Sequence, residues 1–179
     1  KKILEIGTYD GQFTYFLSKM FPKSLITTID LPKSDPLLKK SYNRSNSNNF
    51  KKYLQTQKKN TNNKNIKCIK TNTFFLFETL EDKERFDLIW VDGGHLYPEV
   101  AWDLCTAYNL LNKEGILLCD DVILTKKEYK SEYVSNESSK VLKYIEDRVD
   151  NSFTHFLKRT CSKRYSLEYS RKYVSLIKK

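Results

Sequence analysis

Five short apolar runs, spaced by stretches of helical periodicity, constrain this chain more than any other feature. They are Ile3-Leu4-Glu5-Ile6, Leu25 to Asp30, Ile66 to Lys70, Phe86 to Asp92 and Ile116 to Cys119. Short apolar or β-branched runs bounded by glycine or acidic residues read as buried strands. Between them, Phe13, Phe16, Leu17 and Met20 fall at helical spacing and form the expected apolar face of a helix that Pro22 stops. Further helices are expected around Asn49 to Gln57, Phe75 to Leu80, Pro98 to Leu111 (with Val100, Leu104, Ala107 and Leu111 on one face) and Lys140 to Val149. Phe153 to Leu157 and Tyr173 to Ile177 read as a closing pair of strands. Strand and helix alternating in this way is the signature of βαβ units and a parallel sheet.

The 179 residues suffice for one domain, and residues 1–179 are read as one. The chain opens on Lys1-Lys2-Ile3-Leu4, directly on a strand and without Met, so N-terminal elements are expected to be missing. No stretch approaches the ~18 apolar residues of a membrane helix, and no signal-peptide pattern is present. The expectation is a cytoplasmic protein with no membrane contact. The four cysteines, Cys68, Cys105, Cys119 and Cys161, form no C-x-x-C pair, which argues against zinc; they read as reduced, buried thiols.

The net charge of +10 has a single source. Between Pro36 and Phe77 stand ten basic residues and no acidic one, while basic and acidic residues balance elsewhere. The segment is rich in Asn and Ser, and residues of about 36–65 read as a solvated insertion with weak helical pieces.

In an open parallel sheet, ligands bind beyond the carboxyl ends of the strands. The small and acidic residues gather there. Glu5-Ile6-Gly7-Thr8-Tyr9-Asp10-Gly11 follows the first strand and opens a helix, and small residues let a backbone approach a ligand. Asp30 closes the second strand, 19 residues after Gly11, where an acidic side chain accepts hydrogen bonds from ribose hydroxyls. Asp92 ends the fourth strand, and Asp120-Asp121 the fifth.

Glu5-x-Gly7-x-x-x-Gly11 resembles the E/D-x-G-x-x-x-G motif of class I S-adenosylmethionine (SAM)-dependent methyltransferases. Phe86 to His95 resembles the F-D-L-I-x-x-D-G-x-H segment of a group related to small-molecule and sugar O-methyltransferases, and Leu110 to Leu118 resembles the turn before that family's fifth strand. The likeness covers about residues 1 to 125 in order. It implies an α/β, Rossmann-like, doubly wound and mostly parallel seven-stranded sheet with an antiparallel C-terminal strand. It also implies S-adenosyl-L-methionine as cofactor. Glu5, Gly7, Thr8 and Gly11 would line its methionine end, Asp30 its ribose, Asn72 and Thr73 its adenine, while Asp92 and Gly93 would face the sulfonium and substrate. Glu114 departs from the pattern, standing where relatives carry Pro or Gly.

Methyl transfer needs orientation and a deprotonated acceptor. Two devices are open: Mg²⁺ held by Asp92, Asp120 and Asp121, or His95 as general base, with Asp92 as its companion. Asp121 also reads as a helix cap or surface residue, and His95 as a cap of the next helix. His155 reads as structural, Asp103 as solvated or capping, and Trp90 as core. The leading function is O-methylation of a hydroxylated small molecule or sugar. The alternatives are a nucleic-acid methyltransferase using the basic stretch from Lys39 to Lys70, and an inactive SAM-binding module. A dehydrogenase would need a G-x-G-x-x-G loop, and Tyr9 stands in the way of it.

Overall fold

Each apolar run forms a strand, and each periodic segment a helix. The computed structural model describes residues 1–80, 84–123, 130, 135–148, 152–158 and 171–178. Two compact units divide the chain, Lys1–Glu84 and Arg85–Lys179.

In the first unit, strands β1 (Lys2–Ile6), β2 (Leu25–Asp30) and β3 (Ile66–Lys70) run parallel with β2 in the centre. Its core contains Ile3, Leu4, Ile6, Ile26, Ile29 and Leu76. Helix α1 (Gln12–Met20) links β1 to β2. It does not bury the face that its apolar residues suggest. Thr14, Leu17 and Ser18 are buried, whereas Phe16 and Met20 are exposed. Polar anchors decide the helix's rotation: the Thr14 hydroxyl donates to buried Glu5, and Ser18 Oγ accepts from Asn63 Nδ2.

The basic segment is more structured than its composition suggests. After α2 (Pro36–Lys40) comes a 3-10 turn (Ser41–Asn43), then α3 (Ser47–Asn60), fourteen residues capped by the Asn46 side chain. Arg44, Tyr53 and Gln57 are buried. The end of α3 packs against Gly11, where an added Cβ would lie 2.9 Å from Thr61 Cγ2 and the backbone holds φ +80°. Gly11→Ala is therefore expected to cost about 1–3 kcal/mol, read as a lower melting temperature. A short α4 (Leu76–Thr79) follows β3.

In the second unit, β4 (Phe86–Val91) pairs parallel with β5 (Leu111–Ile123). β7 (Arg171–Lys178) pairs antiparallel with β5, and β6 (Ser152–Lys158) with β7. Helix α5 (Glu99–Leu110) buries Val100, Leu104, Ala107 and Leu110, and packs on α6 (Glu137–Arg148). Leu111, expected on the helix, instead begins β5, which starts earlier than its apolar run. The strand survives this polar start through a register shift, with Glu114 at φ +62° and Gly115 so enclosed that a Cβ would meet Asn112 O at 2.8 Å. Glu114 thus takes a backbone conformation that glycine adopts without strain.

Three further expectations need correction. Cys68 and Cys105 are exposed, and of the described thiols only Cys119 is buried. Asp103 is buried rather than solvated. Asp121 is neither a cap nor a surface residue, but a buried member of β5 at φ +53°. Cys161, Val149 and the His155 side chain lie outside the described residues. Among the described residues no helix is long and apolar enough to cross a membrane.

Candidate active site

The first cluster is built around the turn after β1. Gly7 (φ +100°), Tyr9 (φ +48°) and Gly11 (φ +80°) take left-handed conformations that reverse the chain into α1. The N–H groups of Gly7 and Thr8 both donate to Ile29 O, at 2.9 and 3.2 Å. The turn is therefore stapled to the strand that carries Asp30. Beneath it, Glu5 Oε2 accepts from the hydroxyls of Thr14 (2.5 Å) and Thr28 (2.6 Å), and Thr28 shares a 2.6 Å hydrogen bond with Thr8. Glu5 is 1% exposed. A buried carboxylate persists only when its lone pairs are satisfied, and these donors fix the turn's shape.

Asp30, at the end of β2, is the centre of a second ring of contacts. Its Oδ1 accepts from Leu31 N at 2.9 Å. Its Oδ2 accepts from Tyr53 Oη (2.9 Å) and Gln57 Nε2 (2.6 Å), and Lys70 Nζ, its in-register neighbour on β3, lies 3.6 Å away. Gln57 Nε2 also donates to Tyr9 O, Gln57 Oε1 accepts from Lys70, and Asn60 Nδ2 donates to Asp10 O. One face of α3 thus ties the glycine turn to the acid of the neighbouring strand. Burial pushes the Tyr53 phenol well up, and the Asp30 charge adds to this, so Tyr53 stays a neutral donor. Asn72 caps the turn beyond β3 by accepting from Phe74 N, and Thr73 starts that turn.

Sequence reasoning placed Glu5, Gly7, Thr8, Gly11 and Asp30, and the structure brings these together. It missed Tyr53, Gln57, Asn60 and Lys70. The available signal was the i, i+4 spacing of Tyr53 and Gln57, but both are polar-bearing residues within a lysine-rich stretch.

The second cluster lies in the second unit. His95 Nε2 is 3.2 Å from Asp92 Oδ1 and 3.8 Å from Asp121 Oδ2. The imidazole is buried, as is Asp121, whereas the Asp92 side chain is 39% exposed. Asp92 is therefore the end of this chain of contacts open to solvent. Gly93 follows it in the same turn. His95 Nδ1 is buried with no hydrogen-bond partner among the described residues. Burial by itself lowers the His95 pKa, but the Asp92 hydrogen bond and the charges of Asp121, Asp92 and Asp120 outweigh it, and the net direction is upward. Behind the cluster, Ser135 Oγ donates to His95 O (3.1 Å) and Glu137 Oε2 accepts from Tyr97 N (2.6 Å). Both residues lie about forty positions from their partners, and no local pattern announces them.

These carboxylates do not fit Mg²⁺. Among the described residues no group of three or more His, Cys, Asp or Glu side chains is arranged to hold a metal ion. His95 Nε2 already stands against both Asp92 and Asp121, and Asp120 Oδ1 accepts from Asp121 N at 2.7 Å.

A family model described as a methyltransferase domain matches residues 4–122. No curated protein matches the sequence. Among solved structures, an O-methyltransferase from Streptomyces achromogenes involved in tomaymycin synthesis, in complex with SAM, aligns over 99% of this chain and 73% of its own, with 16% identity and a TM-score of 0.64. An O-methyltransferase from Bacillus cereus in complex with SAH aligns over 99% and 74%, with 14% identity and a TM-score of 0.61. Spermidine synthase from Thermotoga maritima aligns over 100% and 53%, with 15% identity and a TM-score of 0.62. At such identities the likeness is one of fold, and it spans more than one chemistry.

Proposed function

Because the chain belongs to the methyltransferase-domain family, with its Rossmann-like α/β fold, we propose that it transfers a methyl group from S-adenosylmethionine to a hydroxyl of a small molecule. One observation carries the reading: the Gly7–Gly11 turn is hydrogen-bonded to the strand whose end presents Asp30. A nucleoside with an amino-acid tail needs that pairing of backbone turn and ribose acceptor.

The residues fit the cofactor chemically. Among the described residues Asp30 Oδ1 has a single donor, Leu31 N, so a lone pair remains for a ribose hydroxyl. Gly7 and Thr8 offer small side chains beside the turn, and Glu5 holds its shape from below. Asn72 and Thr73 follow β3, next to Asp30 through Thr71 N and Asp30 O. The cofactor when bound supplies an electrophilic methyl group. The protein's part is to orient it and to accept the acceptor's proton. In this reading Asp92, the solvent-open end of the second unit's cluster, takes that proton. His95, buried behind it, hydrogen-bonds the carboxylate and fixes its orientation, which makes His95 a positioning residue.

The basic stretch supports a nucleic-acid acceptor less well. Two of its ten cations are already engaged, Arg44 in a buried ring cluster and Lys70, though exposed, with Asp30.

Calorimetry with S-adenosylhomocysteine tests the cofactor assignment; one-to-one binding is expected, with none for NAD. Heat with NAD and none with S-adenosylhomocysteine would sink the reading. A screen of hydroxylated metabolites with a labelled methyl donor then identifies the acceptor.

A further inference from the structure

Arg44 stands in the stretch that lacks acidic residues, yet it is 7% exposed. A buried guanidinium is costly unless its fork of five N–H donors is satisfied. Among the described residues no carboxylate lies within 4.0 Å of it. Its Nε donates to Ser41 O at 2.9 Å. The rest of its surroundings are rings, with centroids of Tyr53 at 4.6 Å, Tyr42 at 5.3 Å and Tyr9 at 5.8 Å. Ring faces attract a cation but leave its N–H edge unfilled.

The backbone that presents Arg44 is strained. Tyr42 and Asn43 are consecutive non-glycine residues at φ +53° and +56°. Such strain survives where the surroundings impose it, and it gathers at binding sites. A cavity of about 220 Å³ opens beside this turn, lined by Tyr9, Asp10, Tyr42, Arg44, Lys52 and Tyr53 among others. At roughly 30 Å³ per water, it would admit a small ring with one charged group. Lys52, exposed on α3, adds a second cation. Asp10, the acid of the lining, has its carboxylate engaged by Gln12 N and Gln12 Nε2, both at 3.0 Å.

We propose that this cavity is a binding site for an oxyanion carried on a flat aromatic ring, a phosphate or carboxylate, with Arg44 and Lys52 holding the anion and the Tyr9 and Tyr42 rings the flat body. A guanidinium matches such anions through paired N–H donors. The site lies wholly in the first unit and does not depend on methyl transfer.

Titration of the full chain with phenyl phosphate, followed by calorimetry, tests it, with benzoate, inorganic phosphate and phenol as companion arms. Phenyl phosphate or benzoate is expected to bind saturably with a Kd of about 1 mM, more weakly at high salt, and phenol not at all; the stronger of the two anions identifies the oxyanion. Lys52→Glu, at an exposed position, is expected to weaken binding at least tenfold without changing the melting temperature. Arg44→Gln is expected to remove binding, and Arg44→Lys to restore part of it. Binding should persist in saturating S-adenosylhomocysteine. Absence of saturable binding by every anion, or binding unchanged in Lys52→Glu, overturns the proposal and leaves Arg44 to ring packing alone. Competition by S-adenosylhomocysteine overturns it as a separate site. An RNA decamer that displaces phenyl phosphate and depends equally on Lys51 and Lys58 overturns it in favour of a nucleic-acid face.

Discussion

Asp30→Ala is expected to weaken S-adenosylhomocysteine binding by about 10- to 10²-fold and to destabilise the fold at the same time. Charge-assisted hydrogen bonds contribute roughly 1.5–3 kcal/mol each, and every 1.4 kcal/mol is about tenfold in affinity. One ribose hydroxyl on the open Oδ1 position sets the range. The stability loss has separate causes. Removing the carboxylate strips an acceptor from Leu31 N, Tyr53 Oη and Gln57 Nε2, and leaves Lys70 without its ion-pair partner. Tyr53 and Gln57 are buried, so their stranded donors cost about 1–3 kcal/mol each. Tyr53→Phe is the control. It keeps the carboxylate and removes one donor, so binding is expected to stay within about tenfold of the wild type. The Tyr53 hydroxyl is held neutral by burial and by the Asp30 charge, so the wild-type contact persists into alkaline solution. An Asp30→Ala protein that is folded and binds S-adenosylhomocysteine as tightly as the wild type removes Asp30 from the cofactor site.

The part of this site that could be read from residues alone is the part made by strand ends. Ile3 to Ile6 and Leu25 to Asp30 are apolar, β-branched and sharply bounded, and the spacing of Gly11 and Asp30 follows from one helix between two strands. The α3 contribution was illegible because its buried face is Tyr53 and Gln57, flanked by lysines, and carries no apolar stripe. Helix α1 shows the same effect in reverse. Phe13, Phe16, Leu17 and Met20 look like a core face, but hydrogen bonds from Thr14 to Glu5 and from Asn63 to Ser18 set its rotation instead. In the second unit, the Phe86 to His95 segment placed Asp92 and His95 near one another. The approach of Asp121 to His95 rests on its left-handed backbone and the register shift after Cys119, neither of which side-chain pattern announces.

Asp92→Asn is expected to reduce methyl transfer by about 10²- to 10⁴-fold, the usual contribution of a positioned base, and to change how stability depends on pH. Burial works against a charged His95, but the hydrogen bond it donates to Asp92 and the neighbouring carboxylates raise its pKa above the ordinary value of 6.5. The folded state therefore holds the imidazole's proton more tightly than the unfolded chain does. The stability this brings is fully present below about pH 6.5. It fades as pH rises through the folded value. The asparagine variant loses the largest upward influence and keeps the burial, so its His95 titrates lower. Denaturant unfolding should show wild type and variant furthest apart in mildly acidic solution, converging in alkaline solution, where His95 is neutral in both. The kcat/KM of the wild type should rise with pH as the cluster loses its proton, and the variant's remaining activity should lack that rise. His95→Gln separates positioning from proton transfer: the rise should disappear while the KM for the cofactor is unchanged. Turnover in Asp92→Asn equal to that of the wild type, with the same rise in pH profile, would mean that the acceptor's proton leaves by another route. Activity lost to a chelator and restored by Mg²⁺ would return Asp92, Asp120 and Asp121 to the role of metal ligands, against the fit described above.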